Sequence, residues 1–219
     1  MLDSIIGRGL NWLFPERCAG CYRLGNPLCQ TCAALIPPPR DLENPGQLAA
    51  LPYEHPWVKK LIWRLKYYRG RHLAFRLAEI INEKLLEELS DVASFAVGDE
   101  KWLVVAVPSS ATRRRTRGYN QAEMIAKNLA RQNNNFFEHK TDLVIKIKDT
   151  LPQAKILNRQ ARLNNVKGSF QITKPQAIYG RRVIVVDDVI TTGATVNEIK
   201  KVLKEAGARV VLGIAVAHG

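Results

Sequence analysis

The sequence predicts an α/β protein, with a mainly parallel sheet flanked by helices and a small metal-dependent module ahead of it. Three observations carry that expectation. Strand-like and helix-like patterns alternate along most of the chain, the run Val183-Ile184-Val185-Val186 is continuously apolar and ends in two acids, and all four cysteines fall between positions 18 and 32. An unbroken β-branched run suits a parallel strand buried on both faces, and alternation with helices suits right-handed crossovers that cover the sheet.

The cysteines come first in the chain, as Cys18-x-x-Cys21 and Cys29-x-x-Cys32. Two such knuckles make a tetrahedral four-thiolate site of the kind Zn2+ fills, and a closed site of that kind is structural rather than catalytic. Strained vicinal disulfides or a redox C-x-x-C are the competing uses of this spacing. Residues 1–45 hold too few apolar side chains for a core of their own, so zinc would be part of their folding. Pro37-Pro38-Pro39 and Asn44-Pro45-Gly46 read as a stiff connector, which divides the chain into a 1–45 zinc-ribbon-like module and a 46–219 main domain.

Val58, Leu61, Ile62 and Leu65 recur at helical spacing and predict a helix over about 57–69, followed by another over about 73–89. Lys59, Lys60, Arg64, Lys66, Arg69, Arg71 and Arg76 follow one another without an intervening acid, and Trp63, Tyr67 and Tyr68 lie among them. Such a surface could stack bases and track phosphates. A solvated basic face on an amphipathic helix would give the same pattern.

A strand near 102–107 then runs into Pro108-Ser109-Ser110-Ala111-Thr112-Arg113-Arg114-Arg115-Thr116-Arg117-Gly118, read as a polar cationic loop before a helix over 120–132. Ser109, Ser110 and Arg117 are candidates for holding a pyrophosphate through charge-assisted bonds. Solvated loop charge is the alternative. Gln132-Asn133-Asn134-Asn135 reads as a loop and 142–147 as a further strand. From there to Phe170 the chain is polar, basic and rich in breakers, and suits either a mobile lid that includes Thr150-Leu151-Pro152-Gln153 or a plain surface excursion.

The strand over 182–187 delivers Asp187 and Asp188 to the carboxyl edge of the sheet, where open α/β folds bind ligands. Thr191, Thr192, Gly193, Ala194 and Thr195 follow as a hydroxyl-and-glycine loop. Val196, Ile199, Val202 and Leu203 then mark a helix over 195–206 that stops at Gly207, before a strand over 209–216. Main-chain N–H groups at that helix start suit a phosphate, and the acids can accept from a ribose diol. No G-x-G-x-x-G or Gly-Lys-Ser/Thr loop is present, which excludes the dinucleotide fingerprint and the Walker loop.

A formal net charge of +13 and a pI near 9.8 favour polyanionic partners, either nucleic acid or a heavily phosphorylated small molecule. No apolar run is long enough to span a bilayer and no secretory cleavage pattern follows Ile5-Ile6, so a cytoplasmic protein without membrane insertion is expected.

The run Val183 to Thr195 resembles the phosphoribosyl-pyrophosphate (PRPP) signature of type I phosphoribosyltransferases. That likeness implies that Asp187 and Asp188 hold the ribose hydroxyls at the catalytic centre, and that Thr191 to Thr195 hold the 5′-phosphate. With Leu65-Lys66-Tyr67, Arg117-Gly118-Tyr119-Asn120-Gln121, Thr150-x-x-Gln153, Arg162-x-x-Asn165-Val166 and the cysteine knuckles, nearly the whole chain resembles the ComF family of competence proteins. Lys146 departs from the arginine common there, so a bidentate contact is exchanged for a point charge. The resemblance implies a type I phosphoribosyltransferase fold, PRPP with Mg2+, and a link to imported single-stranded DNA in natural transformation. Lys59, Lys60, Arg64, Lys66 and Tyr67 are the candidate contacts to DNA or to an acceptor. The reading of another class is a non-catalytic module that binds single-stranded DNA or a competence helicase and retains the PRPP pocket.

Overall fold

The computed structural model describes residues 16–40, 42, 44–68, 70–90, 100–150, 156 and 158–219. Its central sheet is built from β1 (Gln47–Pro52), β2 (Trp102–Ala106), β3 (Phe137–His139), β6 (Arg182–Ile190) and β7 (Val210–His218), all parallel, in the spatial order β1-β7-β6-β2-β3. Val183, Ile184, Val185 and Val186 are each fully buried, as a strand covered on both faces requires.

Helices α1 (Gln30–Ala34), α2 (Pro56–Tyr67), α3 (Arg71–Ser90), α4 (Ala111–Arg117), α5 (Gln121–Gln132), α6 (Arg159–Val166) and α7 (Ala194–Glu205) surround it. The helix expected over about 57–69 forms as α2 with its Val58, Leu61, Ile62 and Leu65 stripe buried; Pro56 opens it, and His55 Nδ1 accepts from Trp57 N at 3.3 Å. Helix α5 buries Ile125, Ala126 and Leu129 against β2, β3 and β6, while α7 packs on β6 and β7.

Two expectations are corrected. The strand expected over 142–147 does not join the main sheet: β4 (Val144–Lys146) pairs antiparallel with β5 (Phe170–Ile172) in a separate ribbon. The position beside β2 is taken by β3, where Phe137 is buried and pairs with Trp102. Arg76, grouped by sequence with the basic cluster, is buried on α3, where its Nε donates to Leu28 O at 3.0 Å and its Nη1 to Glu79 Oε2 at 3.0 Å. A buried guanidinium persists only where such acceptors meet it. It also ties the cysteine segment to the fold, since Cys18, Ala19, Leu28, Cys32 and Ile36 share one continuous core with α2 and α3.

Strand order positions the site. From β2 the chain moves outward to β3, then returns across β2 to β6 and continues to β7 on the other side. The direction of winding therefore reverses between β2 and β6, and a crevice opens at their carboxyl ends.

Candidate active site

A cavity of about 1040 Å³ occupies that crevice. Its floor follows from a mismatch in strand length. Pairing of β2 with β6 ends at Ala106–Val186, whereas β6 stays paired with β7 as far as Ile190–His218. The expected strand end at 187 is thus extended, and Asp187 to Val189 line the cavity along the flank of β6 that β2 leaves open.

Each acid accepts from the backbone N–H of the residue that follows it. Asp188 N donates to Asp187 Oδ1 at 2.8 Å, and Val189 N donates to Asp188 Oδ1 at 2.9 Å. Burial and then the adjacent Asp188 charge push Asp187 well above the usual carboxylate range, against the opposing pull of the Asp188 N–H and of Lys66. Lys66, at the end of α2, reaches across the cavity to Asp188, with Nζ 3.2 Å from Oδ2.

The Thr191–Thr195 loop is braced from behind by Asn44, in the segment expected to be a connector, together with Gln47 and Asn197. Asn44 Nδ2 donates to Thr192 O at 3.1 Å and Gln47 Nε2 to Asn197 Oδ1 at 2.6 Å, while Asn197 Nδ2 donates to Asn44 Oδ1 at 2.9 Å. Lys200 Nζ holds Pro45 O at 2.7 Å. Gly193 sits inside this brace with φ of 71°, and a Cβ there would strike Gln47 Oε1 and come within 2.6 Å of Asn44 Nδ2. Only glycine fits both the left-handed backbone and the space. No side chain caps α7, so its first-turn N–H donors remain for an anion.

The opposite wall was expected to be a loop and is helix α4. Ser110 Oγ accepts from Arg113 N at 3.3 Å as its N-cap, and Gly118, with φ of 76°, ends it. The Ser110 hydroxyl is thereby used within the protein and does not line the cavity. Ser109 does line it, and its Oγ is buried without a hydrogen-bond partner. Arg113 and Arg117 face the same space, with Arg117 5.7 Å from the Tyr67 ring centre. Lys146 reaches the cavity too, where its Nζ donates to Thr150 Oγ1 at 2.6 Å. Burial, then the Arg113 charge, lowers the Lys146 pKa.

The structure separates the basic residues of α2. Lys66 and Tyr67 line the cavity; Lys59 and Lys60 are exposed elsewhere on the helix, and Lys60 lies over the Tyr22 ring at 4.7 Å. Arg64 turns to the cysteine segment, donating to Arg17 O at 3.1 Å. Trp63, Tyr67 and Tyr68 form an exposed aromatic cluster with ring centres 5.7 and 5.2 Å from Trp63. The Leu151–Gln153 part of the suggested lid lies outside the described residues.

The four cysteines converge as the spacing predicted. Their Sγ atoms lie within 4.8 Å of one another, and Cys29 is 3.7 Å from both Cys18 and Cys21. A tetrahedron with Zn–S bonds of about 2.3 Å sets sulfurs roughly 3.8 Å apart, so the donor set fits Zn2+. All four are free cysteines, which removes the vicinal-disulfide alternative. Burial raises the Cys18 thiol, but N–H groups of Cys29, Cys21 and Gly20 outweigh it and bring the pKa down to about 6; burial and the neighbouring thiols push Cys32 up to about 12. Gly20 keeps this knuckle close to α2, since a Cβ there would lie 2.8 Å from Cys32 Sγ and 2.9 Å from the Trp57 ring.

Residues 81–219 match the phosphoribosyl transferase domain family. Over 211 residues the chain is 28% identical to the DNA utilization protein YhgH of Escherichia coli, covering 92% of this chain and 88% of that one. It is 33% identical to Competence protein F of Haemophilus influenzae over 153 residues, or 69% of this chain and 57% of that protein. Among solved structures, the allosteric regulatory enzyme of purine biosynthesis aligns at 22% identity with a TM-score of 0.41, over 70% of this chain and 30% of that one.

Proposed function

Because the chain belongs to the phosphoribosyl transferase domain family, we propose that it binds PRPP with Mg2+ and transfers its phosphoribosyl group to an acceptor. The observation that carries this reading is the meeting, in one crevice, of the acid pair, the uncapped start of α7 behind a braced glycine loop, and the unpartnered Ser109 hydroxyl. Asp187 and Asp188 accept the ribose hydroxyls. The N–H groups and hydroxyls of Thr191 to Thr195, with Gly193 and Ala194 between them, hold the 5′-phosphate. Ser109, Arg113, Arg117 and Lys146 take the pyrophosphate, whose chelated Mg2+ supplies further charge neutralisation. Ser110 contributes indirectly, by fixing the helix that carries both arginines. Catalysis then rests on orientation and on stabilising the leaving charge.

The zinc site holds the α2 wall and suits a reducing cytoplasm. No helix among the described residues is long and apolar enough to cross a membrane. The competence and DNA utilization names of the relatives support a role beside imported single-stranded DNA.

Titration calorimetry with PRPP and Mg2+, run on the parent and on Asp187→Asn with Asp188→Asn, tests the pocket. Saturable binding by the parent alone is expected, and equal binding by both proteins would show the site to be misassigned. Pyrophosphate release then reports turnover.

The exposed Trp63–Tyr67–Tyr68 cluster favours a second reading, in which α2 binds single-stranded DNA or a helicase partner without chemistry. Oligonucleotide affinity should then fall steeply with salt and weaken on replacing Lys59 and Lys60, while Asp187→Asn leaves it intact. Salt-independent affinity removes that reading.

A further inference from the structure

Two helix starts meet the cavity. Helix α7 follows β6 and brings Ala194 and Thr195; α5 follows β2 and α4 and brings Gln121 and Ala122. Since β2 and β6 are neighbouring parallel strands, both starts lie at the same edge of the sheet. Neither is capped by a side chain. At α5 the N-cap residue Asn120 is engaged elsewhere, its Nδ2 donating to Val107 O at 3.0 Å. The first-turn N–H groups of α5 are therefore left as donors, with the positive end of the helix dipole behind them.

Gln121 adds a side-chain donor to that start. It lines the cavity yet is only 4% exposed, and its Nε2 meets no acceptor. Arg117 fixes which way round the amide lies. Its Nη1 donates to Gln121 Oε1 at 3.4 Å, so the amide oxygen is turned to the guanidinium and the NH2 group away from it. A buried amide with its donors unmet opposes folding, and an apolar side chain of similar size would avoid that cost. Ser109 Oγ, also buried without a partner, lies on the same cavity. Unmet donors set among Arg113, Arg117 and Lys146 suit an oxygen-rich anion.

We infer that Gln121 Nε2 and the first-turn N–H groups of α5 form a second anion seat in the cavity, and that this seat takes the pyrophosphate end of the ligand. The inference rests on the PRPP reading above and gives Gln121 a place in it. A molecule with an anion at each end and a diol between them matches a cavity lined by two helix starts and an acid pair. Helix α7 holds the 5′-phosphate and α5 the pyrophosphate, while Arg113, Arg117 and Lys146 supply the charge that the neutral donors lack. The Arg117 bond to Gln121 is long, so an anion that attracts the guanidinium loosens the amide as well, and both turn to the same ligand.

Titration calorimetry on the zinc-loaded full chain with Mg2+ tests the seat, using inorganic pyrophosphate, ribose 5-phosphate and PRPP as probes. Gln121→Leu should weaken pyrophosphate and PRPP by about tenfold or more and leave ribose 5-phosphate unchanged, because that probe carries no group for the α5 end. Its Tm should equal or exceed that of the parent, whereas a merely structural glutamine would lower Tm and weaken all the probes alike. Gln121→Glu keeps the length and the Arg117 contact, removes the donors and adds a negative charge. It should lose at least as much pyrophosphate affinity, and it carries the test if the leucine variant does not fold. Unchanged pyrophosphate affinity in both variants, equal weakening of ribose 5-phosphate, or no binding of pyrophosphate to the parent would each overturn the inference. Pyrophosphate binding that depends on Gln121 in a protein that does not bind PRPP would uphold the seat and remove the phosphoribosyl reading instead.

Discussion

The Thr191–Thr195 loop and the end of α2 both line the cavity but are held in different ways. Behind the Thr191–Thr195 loop, Asn44, Gln47 and Asn197 bond to the loop and to one another, so the shape of the loop exists before any ligand arrives. At the end of α2 the contacts reach other elements instead: Lys66 to Asp188, Tyr119 OH to Leu65 O at 2.8 Å, and Arg117 over Tyr67. A ligand that reaches Asp188 meets an oxygen already paired with Lys66. One side is braced from within the fold before any ligand arrives, and the other rests on contacts among side chains at the cavity.

The largest effect should come from removing what holds the second wall. Cys18→Ser with Cys29→Ser should release zinc and free α2, forfeiting most of the roughly 10–16 kcal/mol typical of structural zinc sites. Hydrogen exchange should show α2 amides unprotected while β6 amides stay slow; full thermal stability without metal would contradict a structural site. Gly193→Ala attacks the first wall. Forcing a Cβ into a left-handed position against Gln47 and Asn44 should cost about 1–3 kcal/mol in denaturant unfolding and lower PRPP affinity at least tenfold. Loosening the brace alone, by Gln47→Ala, should cost about 1–2 kcal/mol, because it leaves the Asn197 amide short of a partner. A PRPP affinity unchanged by that substitution would mean that the cradle does not depend on its brace.

The smallest effect has the opposite sign. Asp187 has its pKa raised by folding, so ionising it opposes folding: the penalty is absent below the ordinary carboxylate pKa and grows as pH rises towards the folded value. Asp187→Asn should therefore raise Tm slightly at pH 8 and not at pH 4, by about 2–4 °C per kcal/mol recovered, even as PRPP binding is lost. A lower Tm at pH 8 would refute the assigned sign.

Much of this was legible because the signals were local. Val183 to Thr195 carries a buried strand, its acids and the helix start in one run, and the α2 stripe repeats at helical spacing. The brace was not legible. Gln47-Leu48-Ala49-Ala50-Leu51-Pro52 has no β-branched residue and bonds to a strand far along the chain, so nothing nearby marks it as sheet. Helix α4, with the sequence Ala111-Thr112-Arg113-Arg114-Arg115-Thr116-Arg117, has no apolar face to count, and only its caps, Ser110 and Gly118, could have announced it. Arg76 looked like surface because a sequence records its charge and not the Leu28 carbonyl that receives it.

The pairing of β1 with β7 also has a meaning for the order of events on the ribosome. Gln47 lies opposite Gly213, so at about 5–20 residues per second the first strand emerges roughly 10–30 s before its partner is translated. Throughout that interval β1 is an unsatisfied edge, blunted only by the prolines at 45 and 52. The Thr191–Thr195 loop, which leans on Gln47, is fully braced only when the nascent chain has delivered β7, so the candidate site is a late product of synthesis.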